Sequence, residues 1–133
     1  MGVTDSIADM LTRIRNANRV HFKTVDVMMS KTNVNIAGVL KKAGYIEGYE
    51  IKKDDRSHHV LRVTLKYPDS KHTVITDIQR VSKPGCRIYC TKESVPKVLD
   101  GLGLVVVSTS RGVMTGRACE EQGTGGEVLC SIW

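Results

Sequence analysis

Apolar residues recur along this chain with two different periods, and the change from one to the other divides it. Ile7, Met10, Leu11, Ile14 and Ala17 return at the three-and-four spacing of an amphipathic helix. Thr4 stands where an N-cap belongs, and Asp5 and Asp9 suit the positive end of the helix dipole. Arg13, Arg15 and Arg19 fall toward its other end. A short strand, Lys23 to Met28, leads to Ser30, which reads as the N-cap of a second helix running to Ala43. Gly44 supplies the left-handed residue that ends it. Ile36, Ala37, Leu40 and Ala43 form the apolar stripe of that helix, with Lys41 and Lys42 turned away.

Beyond Gly44 the period falls to two. Tyr45 to Lys52 is an irregular strand, interrupted by Gly48. From Val60 to Tyr67 the alternation is clean, with Leu61, Val63, Leu65 and Tyr67 on one face and Arg62, Thr64 and Lys66 on the other. A polar turn from Lys53 to His59 joins the two. Pro68 to Lys71 is short, polar and opened by proline, which predicts a linker between an N-terminal domain (1–67) and a C-terminal domain (72–133). In the second domain His72 to Val81 predicts a strand. Lys83-Pro84-Gly85 suits a type II turn, Cys86 to Thr91 a further strand, and Ser94 to Leu99 one or two helical turns. Gly101 and Gly103 break the chain before Leu104 to Val107, an apolar run to be buried on both faces. A closing strand spans Val128 to Trp133. The fold class is α+β, with an α/β N-terminal lobe and a β-rich C-terminal lobe carrying a short helix.

The chain has 133 residues, room for one domain or two small lobes, and not for a large multi-domain enzyme. Hydrophobic residues are 41% and charged residues 26%, a composition that packs a core. Leu104 to Val107 is the longest purely apolar run, far short of the roughly 20 residues of a membrane helix. With no signal-like N-terminal pattern, this points to the cytoplasm, or to an organellar matrix or stroma. Twenty Lys and Arg against 14 Asp and Glu give a net charge of +6 and favour an anionic partner, nucleic acid first. The basic residues are scattered, so any RNA surface is assembled by folding. Arg15 and Arg19, four apart, either compensate the helix dipole or face phosphate.

Four cysteines are present. Cys86 and Cys90 alternate with Ile88 as a core face would, and nothing has the spacing of a zinc knuckle, so the expectation is free, buried thiols and no metal or other cofactor. The chemistry worth attention lies in the last thirty residues. Ser108-Thr109-Ser110 places three hydroxyls at the exit of the buried strand, each able to donate and accept. Such a row can pair with the ribose hydroxyls and base edges of an RNA minor groove, or it can cap local backbone in a turn. An enzyme would instead set Ser108 or Ser110 against His58, His59 or His72. No nucleophile elbow or phosphate loop accompanies them, and the chain is read as non-enzymatic. A protein-interaction module working through an edge strand is the remaining alternative.

Asp5 to Ala17 (Asp-Ser-Ile-Ala-Asp-Met-Leu-Thr-Arg-Ile-Arg-Asn-Ala) resembles the first helix of the bacterial small-subunit ribosomal protein eight family. Arg80 to Gly85 resembles its middle motif, Gly101-Leu102-Gly103 its glycine turn, and Ser108 to Thr115 its most diagnostic segment. Gly125 to Cys130, ending in Trp133, completes the pattern in order over essentially the whole chain. The resemblance implies a structural constituent of the small subunit that binds the central domain of its rRNA early in assembly, beside neighbouring ribosomal proteins, and that in some members represses its own operon mRNA. It implies no membrane and no small-molecule substrate. By similarity, Ser108, Thr109, Ser110, Arg111 and Gly112 contact the RNA, with Gly125, Gly126 and Glu127 beside them and Tyr89 offering an aromatic face. Thr4, Asp5 and Lys31 anchor the N-terminal lobe. Two departures stand out. Met28 to Asn33 lacks the proline and second lysine usual around its Ser-Lys pair, and Gly116 replaces a usual acidic residue, which predicts a weaker start to the short helix after Thr115.

Overall fold

The computed structural model describes residues 5–53, 55, 56 and 58–133. Thr4 lies outside them. Three helices and two antiparallel sheets, one of three strands and one of five, make the α+β fold. They form two compact units, Met1–Ile75 and Thr76–Trp133. Residues 68–71 thus fall within the first unit, where the Asp69 carboxylate accepts the backbone N–H groups of Lys71 and His72.

In the first unit, helix α1 (Ser6–Arg19) is capped by Asp5, whose carboxylate accepts the Ala8 N–H at 3.1 Å. The cap is therefore Asp5 and not Thr4, the residue the spacing had suggested. Strand β1 (Thr24–Met28) is followed by α2 (Lys31–Lys42), whose Ser30 cap accepts from Asn33 N–H as expected. The helix closes on a left-handed Gly44 (φ 88°), with Tyr45 N–H reaching Leu40 O and Gly44 N–H reaching Lys41 O. Ile36, Ala37 and Leu40 are buried, whereas Ala43 is exposed, because the helix ends there and the stripe has turned outward.

Strands β2 (Ile46–Lys53) and β3 (His59–Leu65) complete the sheet in the order β1-β3-β2. Gly48 sits at a register irregularity, which accounts for the broken alternation of β2. Leu61, Val63 and Leu65 are buried beside Met10, Leu11, Ile14, Ile36 and Leu40 in this unit's share of the core. Tyr67 lies just past β3, half-buried, and its hydroxyl donates to Phe22 O at 2.6 Å.

The second unit departs further from the expectations. Only Ile78–Arg80 (β4) is strand where His72 to Val81 was read as one. Asp77 and Trp133 exchange backbone bonds in continuation of the β4–β8 register, and Thr76 N–H shares the Trp133 carbonyl, so pairing with β8 reaches back only that far. Lys83 and Cys86 close the proline turn by mutual backbone bonds. Gly85 lacks the positive φ that type II geometry needs, so that assignment is corrected. The strand β5 is only Tyr89–Cys90. Cys86 and Ile88 are exposed and Cys90 is buried, so the Cys86–Ile88–Cys90 core face does not form. Cys90, Cys119 and Cys130 are buried free thiols, and burial pushes Cys130 up to about 12.

No α-helix forms over Ser94 to Leu99. Pro96 removes an amide and disfavours helical geometry at Val95, and the turn that follows at Leu99–Gly101 holds Leu99 and Asp100 at positive φ (49° and 55°), outside right-handed helix. Strand β6 (Leu104–Thr109) is bonded on both edges, to β7 (Gly112–Thr115) and β8 (Gly126–Ile132), and Val105, Val106 and Val107 are buried. Between β7 and β8 runs α3 (Gly116–Gln122), capped by Thr115 and packed on β6. Gly116 is buried, and a Cβ there would stand 2.6 Å from a Val105 methyl and 2.7 Å from one of Val95. Cys90, Val105, Val107, Cys119 and Val128 form the centre of this unit's core, with Val81, Val95, Val98 and Met114 against it.

Candidate nucleic-acid interface

The register of the second sheet gathers residues far apart in sequence onto one line. Tyr89 pairs with Glu127, Glu127 with Ser108, and Ser108 with Val113. One step along, Cys90, Gly126, Thr109 and Gly112 pair in the same way. Directly paired residues share a face, so Tyr89, Glu127 and Ser108 stand side by side on one surface of the sheet. Tyr89 is 68% exposed.

Beyond Thr109 the chain reverses through Ser110 and Arg111, both exposed. Neither has a positive φ, but Gly112 does (122°), so the glycine absorbs the twist that a two-residue hairpin normally places in its central residues. The Thr109 hydroxyl donates to Gly112 O at 2.8 Å and accepts from Arg111 N–H at 3.1 Å. The three hydroxyls therefore divide. Thr109 stabilises the turn, whereas Ser108 and Ser110 have no side-chain hydrogen bond among the described residues.

Gly125 and Gly126 let strands close on each other. A Cβ on Gly126 would stand 2.1 Å from Ser108 O, and one on Gly125 would stand 2.3 Å from Cys90 O. Their place beside the hairpin is thus a packing requirement, whatever else they touch. Glu127 has its own bonds. Its carboxylate accepts from the buried Ser82 hydroxyl at 2.5 Å and from Arg87 at 2.9 Å. Burial alone would raise its pKa, but the Ser82 and Arg87 hydrogen bonds and the charges of Arg87 and Arg80 outweigh it and hold the carboxyl below its ordinary range. Glu127 is consequently anionic and braced. Ser82 and Arg87 were not singled out from the sequence, because only the shared β8 edge brings β5 and the Ser82 turn to Glu127.

In the first unit, Asp5 and the exposed Lys31 lie at the starts of α1 and α2. Asn33 ties those starts together, since its side-chain amide donates to Met28 O at 3.0 Å and to Ser6 O at 3.4 Å. Asp5 spends its carboxylate on capping. Among the described residues, no group of three or more His, Cys, Asp or Glu is placed to hold a metal ion, and no helix is long and apolar enough to cross a membrane.

Chains similar to this one are proteins of the small ribosomal subunit. Small ribosomal subunit protein uS8 of Syntrophus aciditrophicus is 65% identical over the full length of both chains, and those of Geobacter sulfurreducens and Natranaerobius thermophilus are each 50% identical over the full length of both. Residues 5–133 match the family described as Ribosomal protein S8, and the chain belongs to that family.

Proposed function

We propose that this chain is a structural constituent of the small ribosomal subunit and binds a folded helix in the central domain of its rRNA through the β6–β7 end of its second unit, during subunit assembly. The observation that carries the reading is the pair of unpartnered hydroxyls, Ser108 and Ser110, beside an exposed Tyr89 and an exposed Arg111. Short neutral donors and acceptors match the shallow, hydroxyl-lined minor groove of A-form RNA, while Arg111 supplies attraction to phosphate. Tyr89 can stack on an unpaired base. Asp5 and Lys31, with Thr4, are a second and smaller contact in this reading. The work is done at the ribosome, in the cytoplasm of a bacterium, beside other small-subunit proteins.

Filter binding to a central-domain rRNA fragment tests the assignment. Ser108→Ala combined with Ser110→Ala should lower affinity for the folded fragment by about tenfold or more, two lost hydrogen bonds at roughly 1 kcal/mol each, while thermal unfolding stays unchanged. Undiminished binding by the folded variant would remove these hydroxyls from the interface. An operon transcript with a similar fold would compete for the same surface, and so repress its own translation. Competition between that transcript and the rRNA fragment measures this directly.

A further inference from the structure

The C-terminal end of α1 carries a second platform that the hairpin reading leaves unused. Helix α1 ends in a Schellman motif, with Phe22 N–H bonded to Ala17 O at 2.9 Å and His21 N–H to Asn18 O at 3.3 Å. The left-handed residue is His21 (φ 60°), where glycine is the usual occupant and where α2 and α3 use Gly44 and Gly123. The strained histidine is held from two sides. Its ring stacks on Tyr67 with centroids 4.5 Å apart, and its Nε2 lies 3.2 Å from His72 O. In such a cap the next residue commonly folds its apolar side chain back on the helix. Phe22 does not, and is 61% exposed. Its backbone is fixed all the same, because Tyr67 donates to its carbonyl and Leu65 N–H bonds to Lys23 O. Continuing the β1–β3 register from Thr24 and Thr64 sets Phe22 opposite Lys66.

An exposed aromatic ring on an anchored backbone therefore stands among cations. Arg19, Lys23, Lys66 and Lys71 are exposed, and none of their side chains has an acidic partner among the described residues. The acid of this region is Asp69, whose carboxylate is taken up by Lys71 N–H, His72 N–H and the His72 ring at 2.8 Å. Aromatic faces interleaved with uncompensated cations suit an unpaired nucleotide, the base on the ring and the phosphates on the lysines and arginine. We propose that Phe22, with Arg19, Lys23, Lys66 and Lys71, binds a single-stranded segment of RNA by base stacking, at a site separate from the hairpin. The inference rests on the chain being an RNA-binding protein and adds a different form of RNA to what it recognises.

Fluorescence anisotropy of the full chain with a short labelled oligoadenylate, beside the folded rRNA fragment, tests it. Phe22→Ala should weaken oligoadenylate binding about tenfold, Phe22→Trp should preserve it, and Arg19→Glu with Lys23→Glu should abolish it. The Ser108→Ala, Ser110→Ala variant should bind oligoadenylate as the parent does. Because Phe22 is exposed, the Phe22→Ala melting temperature should match that of the parent, and this is checked in parallel. Oligoadenylate binding that is absent, or unaltered by Phe22→Ala, overturns the proposal and assigns the ring to a protein neighbour. Failure of the hairpin variant to lose fragment binding, by contrast, strikes the hairpin reading alone.

Discussion

Glycines show how differently one residue type behaves from place to place. Gly126 has no room for a methyl group, since Ser108 O would lie 2.1 Å from it, and backbone cannot step aside as a side-chain tip can. Gly126→Ala should destabilise the protein by at least about 3 kcal/mol. Gly48 has no neighbour within 4 Å of its missing Cβ and no positive φ, so Gly48→Ala should be neutral or stabilising by about 0.5 kcal/mol. Urea unfolding of the two variants reads both. Glu127 adds a dependence on pH. Its carboxyl is held below the ordinary value of 4.5, so it stabilises the fold above that pH, and the contribution is lost as pH falls through the depressed value. Glu127→Gln should flatten the acid limb of a melting temperature against pH profile, and an unaltered limb would mean the Ser82 and Arg87 bonds carry no such coupling. The glycines and Glu127 were visible in the sequence as a cluster. What each one does depends on the strand opposite, and no spacing along the chain reveals that.

Elements were legible where their signals are local. The apolar period of α1, the Ser30 cap and the Gly44 stop of α2, and the alternation of β3 all act within a few residues, and they gave elements within a residue or two of those observed. Ser30→Ala should cost about 1 kcal/mol by freeing the Asn33 N–H, with Asp5→Ala costing a similar amount through Ala8. Thermal melts of the two variants check the pair. The second unit was harder to read because its short strands are cut by competition for one partner. β4 and β5 share a single edge of β8, so neither can be long, and the residues between them meet that edge only in part, through Val81 and Ser82 N–H to Leu129 O and Val128 O and through Val128 N–H to Ile88 O. Cys86 is held in the Lys83 turn, and both it and Ile88 face water despite an alternating pattern. The Ser94 hydroxyl accepts from Thr91 N–H, and Pro96 closes off the helical turns expected from Ser94 to Leu99. Gly116 has a positive reason for lacking a side chain, since the methyl groups of Val105 and Val95 occupy the space one would need.

Across the molecule, the charge that was diffuse in sequence becomes local in space. A net +6 spread over 133 residues says only that an anion is favoured. Folding sets Arg111 at one hairpin and Arg19, Lys23, Lys66 and Lys71 around one helix end. If some four to eight phosphates are engaged, affinity for rRNA should fall with salt at a log-log slope of roughly −3 to −7. Filter binding across a salt series measures it, and a flat line would mean the basic residues serve solubility alone. Replacing Arg19 and Lys23 should reduce the slope by roughly one to two, whereas replacing Ser108 and Ser110 should lower affinity at every salt concentration without changing it.

Adjacent strands lie about 4.8 Å apart, and Tyr89 and Ser108 sit on either side of β8, so the tyrosine and serine backbones are spaced by two such steps, about 10 Å. Neither can slide without giving up a row of backbone bonds or driving Gly126 into Ser108. The surface is a ruler with fixed graduations. A polynucleotide that meets it must already have the matching interval, or pay to acquire it, and discrimination then falls on the RNA's ability to hold that shape more than on the letters it carries.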